Sequence, residues 1–515
     1  MLQQYATEVD LPPAAPRSRW RRRVPPLLLI LLMQAGLSLR LIWTNTAYMD
    51  EALYLWAGRL EWAHWLHGAP LPTPSFALSF SGAPVLYSPL GALASAAGGL
   101  AGARILSLCF MLGATALLYS ATKRLFDRRA AIIAAAVFAF LGVTQNLGAF
   151  ATYDAMALFL LALAAWLAIR SGGRWGELAL IACAATLVLA DATKYACLLW
   201  NPVVVALAVL GSPGPRMSTS RARALTAPGH GIRLVVYGTA MALPLLFLVG
   251  GRSYVSGLMF TTLSRGIPGT TPPLQVLTAA FGWTGVVLAL ALLGFVLSLS
   301  AGDKRITWLC GVLAVAVLLA PLNQARIDTA TSLQKHVAFG AWFAAIAAGY
   351  GLSRTVYLTA AKSRRLIAVA VVVVLWFGVL QTTALYTFWP NSSSMIHGLS
   401  AVLSRSKCPC LIAENNVASY YLPRQQDLST AIGTDSFDYY DSSTRQEIND
   451  ADPGDLAYKL AIRQGYFGVI EMDDAEDPFV YTAVTRTLAS SHDYKLVATI
   501  PASNQKEPFR IWIRK

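Results

Sequence analysis

The chain contains 515 residues, of which 56% are hydrophobic and only 13% are charged. A soluble protein of this length would carry roughly a quarter charged residues, so the composition excludes an ordinary soluble enzyme. The net charge of +14 does not indicate a nucleic-acid partner, because most basic residues stand in short loops between apolar runs. Residues 389–515 differ from the rest, with 12 basic and 16 acidic residues.

The apolar residues gather into runs of roughly 16 to 25 residues, long enough to cross a hydrocarbon core of ~30 Å. In chain order the runs predict transmembrane helices at residues 25–43, 104–122, 130–150, 155–170, 177–191, 195–211, 233–249, 274–299, 306–322, 337–352 and 366–388. The first run follows a basic segment and lacks a small-residue cleavage site, so we expect a retained helix and not a signal peptide. The predicted fold class is a polytopic α-helical membrane protein with about eleven transmembrane helices.

The basic residues of the loops separate into two sets. Alternate loops carry 21 and eight Lys and Arg residues when the C-terminal segment is set aside. The richer side is expected to be cytoplasmic. This predicts a cytoplasmic basic segment at 1–24, a transmembrane domain at 25–388 with an outer loop at 44–103, and an extracytoplasmic domain at 389–515.

Residues 85–100 do not fit this alternation as a twelfth span. They are apolar but short, and they contain Pro89 and several glycines. A span here would invert every later loop and place the basic loops outside. We therefore predict a re-entrant or interfacial segment, which preserves the charge distribution.

The sequence of the C-terminal segment predicts a small α/β domain. Runs rich in β-branched and aromatic residues predict strands near residues 411–414, 467–472, 494–500 and 509–515. Helical periodicity lies between them, at residues 456–464 and 481–491.

Neither the acidic run nor the cysteine pair of this segment is expected to form a functional site. The acidic run that contains Asp473, Asp474, Glu476 and Asp477 is typical of a solvated loop rather than a metal site. A disulfide between Cys408 and Cys410 would be strained because one residue separates them, so it is not expected.

Ionisable residues gather at predicted outer helix ends, where charged groups close to the membrane are costly and usually functional. The acids are Asp50, Glu51, Glu61, Asp154, Asp191 and Asp328, and the basic residues are Arg59, Lys194, Arg252, Arg265, Arg326, Lys335, His64, His67 and His336. These residues predict an outer-facing cavity that holds carboxylates and cations together.

The first outer loop is the strongest candidate for the site. It is aromatic and amphipathic and begins with Asp50 and Glu51. An interfacial helix explains its Trp and Tyr residues. The simpler alternative is that the two acids only cap and charge the first turn of that helix.

Several segments of the chain resemble one family of membrane enzymes. They are YMDEALYLWAGR in the first loop, the block that runs from the Pro89 segment through Arg104 and the basic turn Arg124–Phe126 to Asp154, ADATKYA at 190–196 and TSLQKHVAFGAWFAAIAAGYG at 331–351. Together they resemble the GT-C glycosyltransferases, in particular family 39, the bacterial relatives of protein O-mannosyltransferases and of the lipid A aminoarabinose transferase. The resemblance covers roughly residues 25–390.

This resemblance implies a GT-C fold and a polyprenyl-phosphate sugar donor. It implies transfer to a hydroxyl of an unidentified protein, lipid or polysaccharide at the outer face of a bacterial plasma membrane. Asp50 matches the catalytic Asp of the family and would be the general base, because a hydroxyl acceptor needs a base within hydrogen-bond reach. Glu51 would position the acceptor or orient Asp50, and Asp154 would support the site.

The predicted substrate-binding residues are Lys194, Arg326, Lys335, His336, Tyr87 and Arg104. Cations among them would bind the donor phosphate, because positive charge stabilises a phosphate leaving group. The alternatives are interfacial snorkelling for Lys194 and Lys335 and helix capping for Asp154.

The chain departs from the family at two points. Some relatives carry Lys-Pro-Pro after the first loop, whereas this chain has Tyr87-Ser88-Pro89, so another cation must contact the phosphate. Some relatives also bind a divalent metal ion. Glu61, His64 and His67 are spaced for one helix face, but no fourth ligand is evident, and interfacial histidines are the alternative.

Two other classes of function stay open from the sequence. A lipid or sugar transporter or flippase would tend to show duplicated halves and broken helices at the midplane, and neither is clear here. A sensor or assembly protein with an outer recognition domain is the other alternative.

Overall fold

The computed structural model describes residues 25–71, 80–211, 220–259, 271–358, 362–406, 408–422, 431–434, 437–441, 444–448, 455–474, 477–503, 505 and 507–515. The predicted basic segment 1–24 lies outside these residues, as do Arg265 and Glu476. The side chain of Arg252 is also outside the description.

Among residues 25–390, those that the structure describes are almost entirely helical. The helices are α1 (Pro26–Ile42), α2 (Met49–His67), α3 (Pro84–Leu125), α4 (Arg128–Phe140), α5 (Gly142–Leu147), α6 (Tyr153–Arg170), α7 (Gly176–Thr193), α8 (Asn201–Leu210), α9 (Ser220–Pro244), α10 (Gly251–Met259), α11 (Pro273–Leu299), α12 (Lys304–Val315), α13 (Leu319–Arg326), α14 (Leu333–Leu358) and α15 (Lys362–Tyr386). A 3₁₀ segment, Tyr195–Trp200, precedes α8, and another, Ala316–Leu318, joins α12 to α13.

Each of the eleven predicted spans falls on helical structure. Seven helical segments of the described chain are both long and apolar enough to cross a membrane: Pro84–Leu125, Tyr153–Arg170, Gly176–Thr193, Gly229–Phe247, Pro273–Leu299, Lys304–Arg326 and Ile367–Tyr386. Shorter apolar helices occupy Pro26–Ile42 and Tyr195–Leu210. The prediction of a multi-pass helical membrane protein is confirmed, whereas the count of eleven exceeds the seven segments that meet both criteria.

Helix α14 lies at the centre of the bundle and is held there by close backbone contacts. A Cβ placed on Gly349 would lie 2.4 Å from the carbonyl oxygen of Ala130 in α4. A Cβ on Gly294 of α11 would lie 2.2 Å from the carbonyl oxygen of Ala347. Small residues therefore bring three helices together, as is common in membrane bundles where packing drives association.

Helix α3 bends back on itself at Gly98 and Gly99, where the backbone is not helical and Gly99 has φ 62°. The hydroxyls of Tyr87 and Ser107 lie 3.4 Å apart, although 20 residues of straight helix would separate them by about 30 Å. The arm before the bend is about 21 Å long, shorter than a ~30 Å hydrocarbon core. The re-entrant segment at residues 85–100 stays a prediction, and a bend at this point is compatible with it.

The domain after α15 contains a mixed sheet. Its strands and helices are α16 (Ser393–Leu403), β1 (Cys410–Ile412), α17 (Asn415–Tyr421), β2 (Tyr439–Asp441), β3 (Gln446–Ile448), α18 (Leu456–Arg463), β4 (Val469–Met472), α19 (Pro478–Ser490), β5 (Tyr494–Ile500) and β6 (Phe509–Arg514). The four-stranded sheet has the order β1-β4-β6-β5, in which β1 and β4 are parallel and β6 is antiparallel to β4 and β5. The four predicted strands and two predicted helices are confirmed, whereas α16, α17 and the β2–β3 hairpin were not foreseen.

Two expectations about this domain need correction: that Cys408 and Cys410 form no disulfide, and that the acidic run is solvated throughout. The structure contains a disulfide between Cys408 and Cys410. Asp473 is 1% exposed and therefore not solvated. Its Oδ1 accepts a hydrogen bond from Nε2 of Gln505 at 3.1 Å.

Helix α17 fastens this domain to the membrane helices. The backbone N–H of Ala47 donates to the hydroxyl of Tyr421 at 2.9 Å. Arg59 of α2 donates to the carbonyl oxygen of Tyr420 at 2.6 Å, and the Tyr420 hydroxyl lies 3.0 Å from that of Ser95 in α3. The domain thereby closes over the start of α2, where the candidate site lies.

Candidate active site

A cavity of about 840 Å³ lies at the end of the bundle that carries the C-terminal domain. It is built from the first turn of α2, the starts of α6 and α14, the end of α15 and the first residues of α17. The lining residues are Tyr48, Met49, Asp50, Leu53, Tyr54, Ser81, Asn146, Phe150, Tyr153, Lys194, Trp283, Ala330, Thr331, Ser332, Gln334, Lys335, His336, Leu385, Phe388, Trp389, Asn415 and Asn416. A space of this size can hold a substrate larger than one sugar.

Asp50 enters this cavity from the first turn of α2. The chain caps this turn through the backbone N–H of Tyr48, which donates to Oε2 of Glu51 at 3.0 Å. Oδ2 of Asp50 forms an ion pair with Nζ of Lys335 at the start of α14. The Lys335 side chain is 4% exposed and that of Asp50 is 24% exposed. The carboxylate is therefore the member of the pair more open to a ligand.

A second ion pair stands beside the first. Nζ of Lys194 lies 2.6 Å from Oδ1 of Asp154, and both side chains are almost fully buried. The other oxygen of Asp154 accepts a hydrogen bond from the Thr152 hydroxyl at 2.8 Å. Lys194 also lies 4.8 Å from the ring centre of Tyr153. Lys194 lines the cavity, whereas Asp154 does not and is paired with this lysine from behind.

Glu51 points away from the cavity, into the protein. Its carboxylate pairs with Arg104 through two bonds, Nε to Oε1 at 2.8 Å and Nη2 to Oε2 at 2.7 Å. Neither side chain is exposed. Arg104 also donates to the carbonyl oxygens of Ile42 and Asn45, and the N–H of Ala151 donates to Glu51 at 2.7 Å.

This geometry corrects the expectation that Arg104 contacts substrate. Its guanidinium is enclosed by Glu51 and backbone carbonyls and does not line the cavity. Glu51 and Arg104 instead join α2 to α3 and fix the turn that presents Asp50.

Two further residues predicted to bind substrate lie elsewhere. Tyr87 is 1% exposed and packs within the bend of α3, away from the cavity. Arg326 is exposed at the end of α13 and donates to Oδ1 of Asn323 at 3.2 Å. The sequence shows that a residue is polar and near a helix end, but it does not show which way the side chain points.

His336 does line the cavity, where its Nδ1 lies 3.0 Å from Oε1 of Gln324. Sequence reasoning missed the aromatic wall formed by Tyr48, Phe150 and Trp389, although the first loop is visibly aromatic. It also missed Asn415 and Asn416, which reach the cavity from the C-terminal domain. No sequence signal marks that pair, because two asparagines in a polar segment are unremarkable.

The residues suggested for a metal do not converge on one point. Glu61 is buried, whereas His64 and His67 are exposed, and Nδ1 of His64 lies 2.8 Å from the carbonyl oxygen of Ala69. Burial raises the pKa of Glu61, and the charge of His64 opposes that rise. Within the described parts of the chain, no three His, Cys, Asp or Glu side chains are grouped to hold an ion.

Comparison with known proteins was informative only at the level of structure. No protein-family model matches the sequence, and a search of curated proteins found no match. The fold is similar to that of ArnT from Cupriavidus metallidurans bound to undecaprenyl phosphate. The TM-score is 0.62 at 12% identity, and the match covers 94% of this chain and 97% of ArnT.

A second similar structure is the archaeal oligosaccharyltransferase AglB from Archaeoglobus fulgidus, in complex with an inhibitory peptide and a dolichol-phosphate. The TM-score is 0.55 at 12% identity, with 93% of this chain and 74% of AglB covered. The chain therefore has the GT-C membrane fold, as its resemblance in sequence implied.

Proposed function

We propose that this protein is a glycosyltransferase that moves a monosaccharide from a polyprenyl-phosphate donor to an acceptor hydroxyl, with Asp50 as the general base. The observation that carries the proposal is the position of Asp50 and Lys335. A carboxylate and an ammonium group face one cavity at the end of a membrane bundle. Those are the two charges that such a transfer requires, one to accept a proton and one to stabilise a phosphate.

The reaction would be a single displacement. The acceptor oxygen attacks the anomeric carbon while Asp50 accepts the hydroxyl proton. Acceptance of a proton by a positioned carboxylate is ordinary general-base catalysis. The bond between the anomeric carbon and the phosphate oxygen breaks, and the electron pair leaves with the polyprenyl phosphate. The phosphate changes from a diester to a monoester and gains negative charge, which nearby cations stabilise most in the transition state. One displacement inverts the anomeric configuration.

The ion pair of Asp50 with Lys335 suits this sequence of events. Before the donor binds, each group neutralises the other. A donor phosphate would compete for Lys335 and leave the carboxylate of Asp50 available to the acceptor. Lys194 lines the same cavity and would support the same phosphate, while Asp154 keeps that lysine charged and oriented.

The donor class is supported by the fold and by the location of the cavity. ArnT was solved with undecaprenyl phosphate and AglB with a dolichol-phosphate. A lipid carrier can reach a cavity at helix ends from the bilayer. The excess of basic residues in alternate loops favours an outer face for this cavity, where nucleotide sugars are absent and a membrane-borne donor is needed.

The test combines a deletion strain with purified protein. Loss of the gene should cause one polyprenyl-phosphate sugar to accumulate, and lipid analysis would identify it. Purified protein should then release polyprenyl phosphate from that donor when the acceptor fraction is added, and Asp50→Asn should not. Movement of the lipid across proteoliposomes without sugar transfer would reject the proposal in favour of a transporter.

A further inference from the structure

A second pocket, separate from the active-site cavity, lies where α1 and α15 meet the C-terminal domain. It has a volume of about 220 Å³. Its polar lining includes Arg40, Thr44, Asn45, Thr383, Thr387 and Ser503. None of its lining residues also lines the active-site cavity.

Arg40 is the only charged residue among the described residues that line this pocket, and the hydrogen-bond acceptors of its guanidinium are neutral. It donates to the hydroxyls of Thr382 at 2.5 Å and Thr383 at 3.1 Å, and to Oε1 of Gln145 at 3.2 Å. In the described part of the chain it forms no ion pair. Four neutral acceptors, counting the carbonyl oxygen of Val379, orient the guanidinium, and no described carboxylate pairs with its positive charge.

The surroundings of the pocket place it at a lipid boundary. Large apolar side chains of both helices are exposed below it, among them Leu32 at 58% in α1 and Leu380 at 50% in α15. Trp43, one residue beyond α1, is 68% exposed. Since tryptophan marks the interface of a bilayer, Arg40 lies near the level of the headgroups with an acyl-lined surface beneath it.

Two further polar groups complete the lining on the domain side. The backbone N–H of Asn391 donates to Oγ of Ser503 at 3.2 Å, and no acceptor among the described residues takes the hydroxyl proton of Ser503. The planar fork of an arginine suits phosphate oxygens, and its hydrogen bonds to an anion are stronger than those between neutral groups.

We propose that this pocket binds the phosphate of an anionic lipid from the leaflet on the side of the C-terminal domain. The headgroup would accept hydrogen bonds from Arg40 and Ser503, and its chains would lie along the exposed faces of α1 and α15. Because Ser503 belongs to the C-terminal domain and Arg40 to α1, the bound lipid holds the domain against the bundle. This inference does not depend on the proposed sugar transfer.

The test is photo-cross-linking of the full-length protein in phosphatidylcholine nanodiscs. A trace of diazirine-labelled phosphatidylglycerol should label peptides that contain residues 40–45 and 383–391. Arg40→Gln should reduce that labelling roughly tenfold, because it removes a charge-assisted contact. Arg326→Gln removes an exposed arginine at another helix end and should leave the labelling unchanged. Ser503→Ala should reduce the labelling by a smaller factor. If Arg40→Gln does not fold, the labelling of Ser503→Ala tests the proposal instead.

Three results would overturn the proposal. The first is equal labelling of wild type and both pocket variants. The second is equal labelling of these peptides by a phosphatidylcholine probe, which would show that the pocket does not select anionic lipid. The third is complete protection by inorganic phosphate alone, which would identify a site for a free anion.

Discussion

The Glu51 carboxylate and the Arg104 guanidinium form a doubly hydrogen-bonded ion pair with no solvent exposure, directly behind the residue that faces the active-site cavity. The neighbouring acids Asp50 and Glu51 thus point in opposite directions from the first turn of one helix. Asp50 lines the cavity, whereas Glu51 pairs with the buried Arg104. If Asp50 is the base as proposed, consecutive residues have a catalytic and a structural role, so substitutions at the two positions should have different consequences.

Glu51→Gln should lower the free energy of unfolding, because it leaves the charge of Arg104 buried without its partner. Breaking a buried pair in this way costs roughly 3–5 kcal/mol. The double substitution Glu51→Met with Arg104→Met should recover part of that loss, since it leaves no uncompensated charge. Thermal unfolding in detergent measures both. An unchanged midpoint for Glu51→Gln would contradict the structural role.

Asp50→Asn should reduce transfer by orders of magnitude without unfolding the protein. The asparagine keeps an oxygen that accepts a hydrogen bond from Lys335, but it cannot accept the acceptor proton. Loss of a general base lowers kcat by roughly 10²–10⁴-fold. Asp328→Asn is the control, because Asp328 lies outside the cavity lining and its φ of 52° is tolerated by asparagine. Equal activity of Asp50→Asn and the control would exclude Asp50 as the base.

Lys335→Met and Lys194→Met should fail in different ways. Lys335→Met leaves Asp50 partly exposed to water, so the protein should fold while kcat/KM for the lipid donor falls by roughly 10²–10³-fold. Lys194→Met leaves the carboxylate of Asp154 fully buried and unpaired, which should cost roughly 3–5 kcal/mol of stability. Initial-rate kinetics and unfolding of each variant distinguish the two roles. Identical behaviour of the two would mean that the pairs are not specialised.

The helices and strands could be predicted because their signals are local. Hydropathy places the membrane helices, and β-branched runs place β4, β5 and β6. Glycines at 98 and 99 permit the bend in α3.

The pairing of charges could not be predicted, because it depends on contacts between distant parts of the chain. Lys335 and Asp50 are 285 residues apart, and Arg104 and Glu51 are 53 apart. A sequence reports that Arg104 is charged and lies at the start of an apolar run. It does not report that Glu51 and backbone carbonyls surround the guanidinium, so the sequence alone predicts a substrate contact for Arg104.

Gly58 of α2 should tolerate no side chain, because a Cβ there would lie 1.9 Å from the carbonyl oxygen of Ser88 in α3. Gly58→Ala must push the two helices apart, at a cost of roughly 1–3 kcal/mol. It should also reduce transfer, since α2 carries Asp50. Gly36→Ala in α1 is the matched control, because a Cβ at Gly36 has nothing within 4 Å. Equal unfolding midpoints for the two variants would disprove the contact.

Glu471 should make the stability of the C-terminal domain depend on pH. It lies on β4, between β1 and β6, and is fully buried. Burial raises the pKa of its carboxyl well above the ordinary value, and the nearby charges of Asp473 and Glu414 raise it further. The folded domain thus binds a proton that the unfolded chain releases more readily. Its stabilising contribution is complete below the ordinary pKa near 4.5 and is lost as pH rises toward the raised pKa of the folded state.

Glu471→Gln should therefore stabilise the domain at alkaline pH and flatten its response to pH. The amide resembles the protonated carboxyl in shape but carries no charge that burial would penalise. Proteolytic susceptibility of the C-terminal domain, measured on the full-length protein between about pH 5 and pH 9, reports the effect. Wild type should become more susceptible as pH rises, and the variant should not. Parallel profiles would show that Glu471 is not the titrating group. Glu447→Gln is the control, since Glu447 is exposed on β3 and should leave the wild-type profile unchanged.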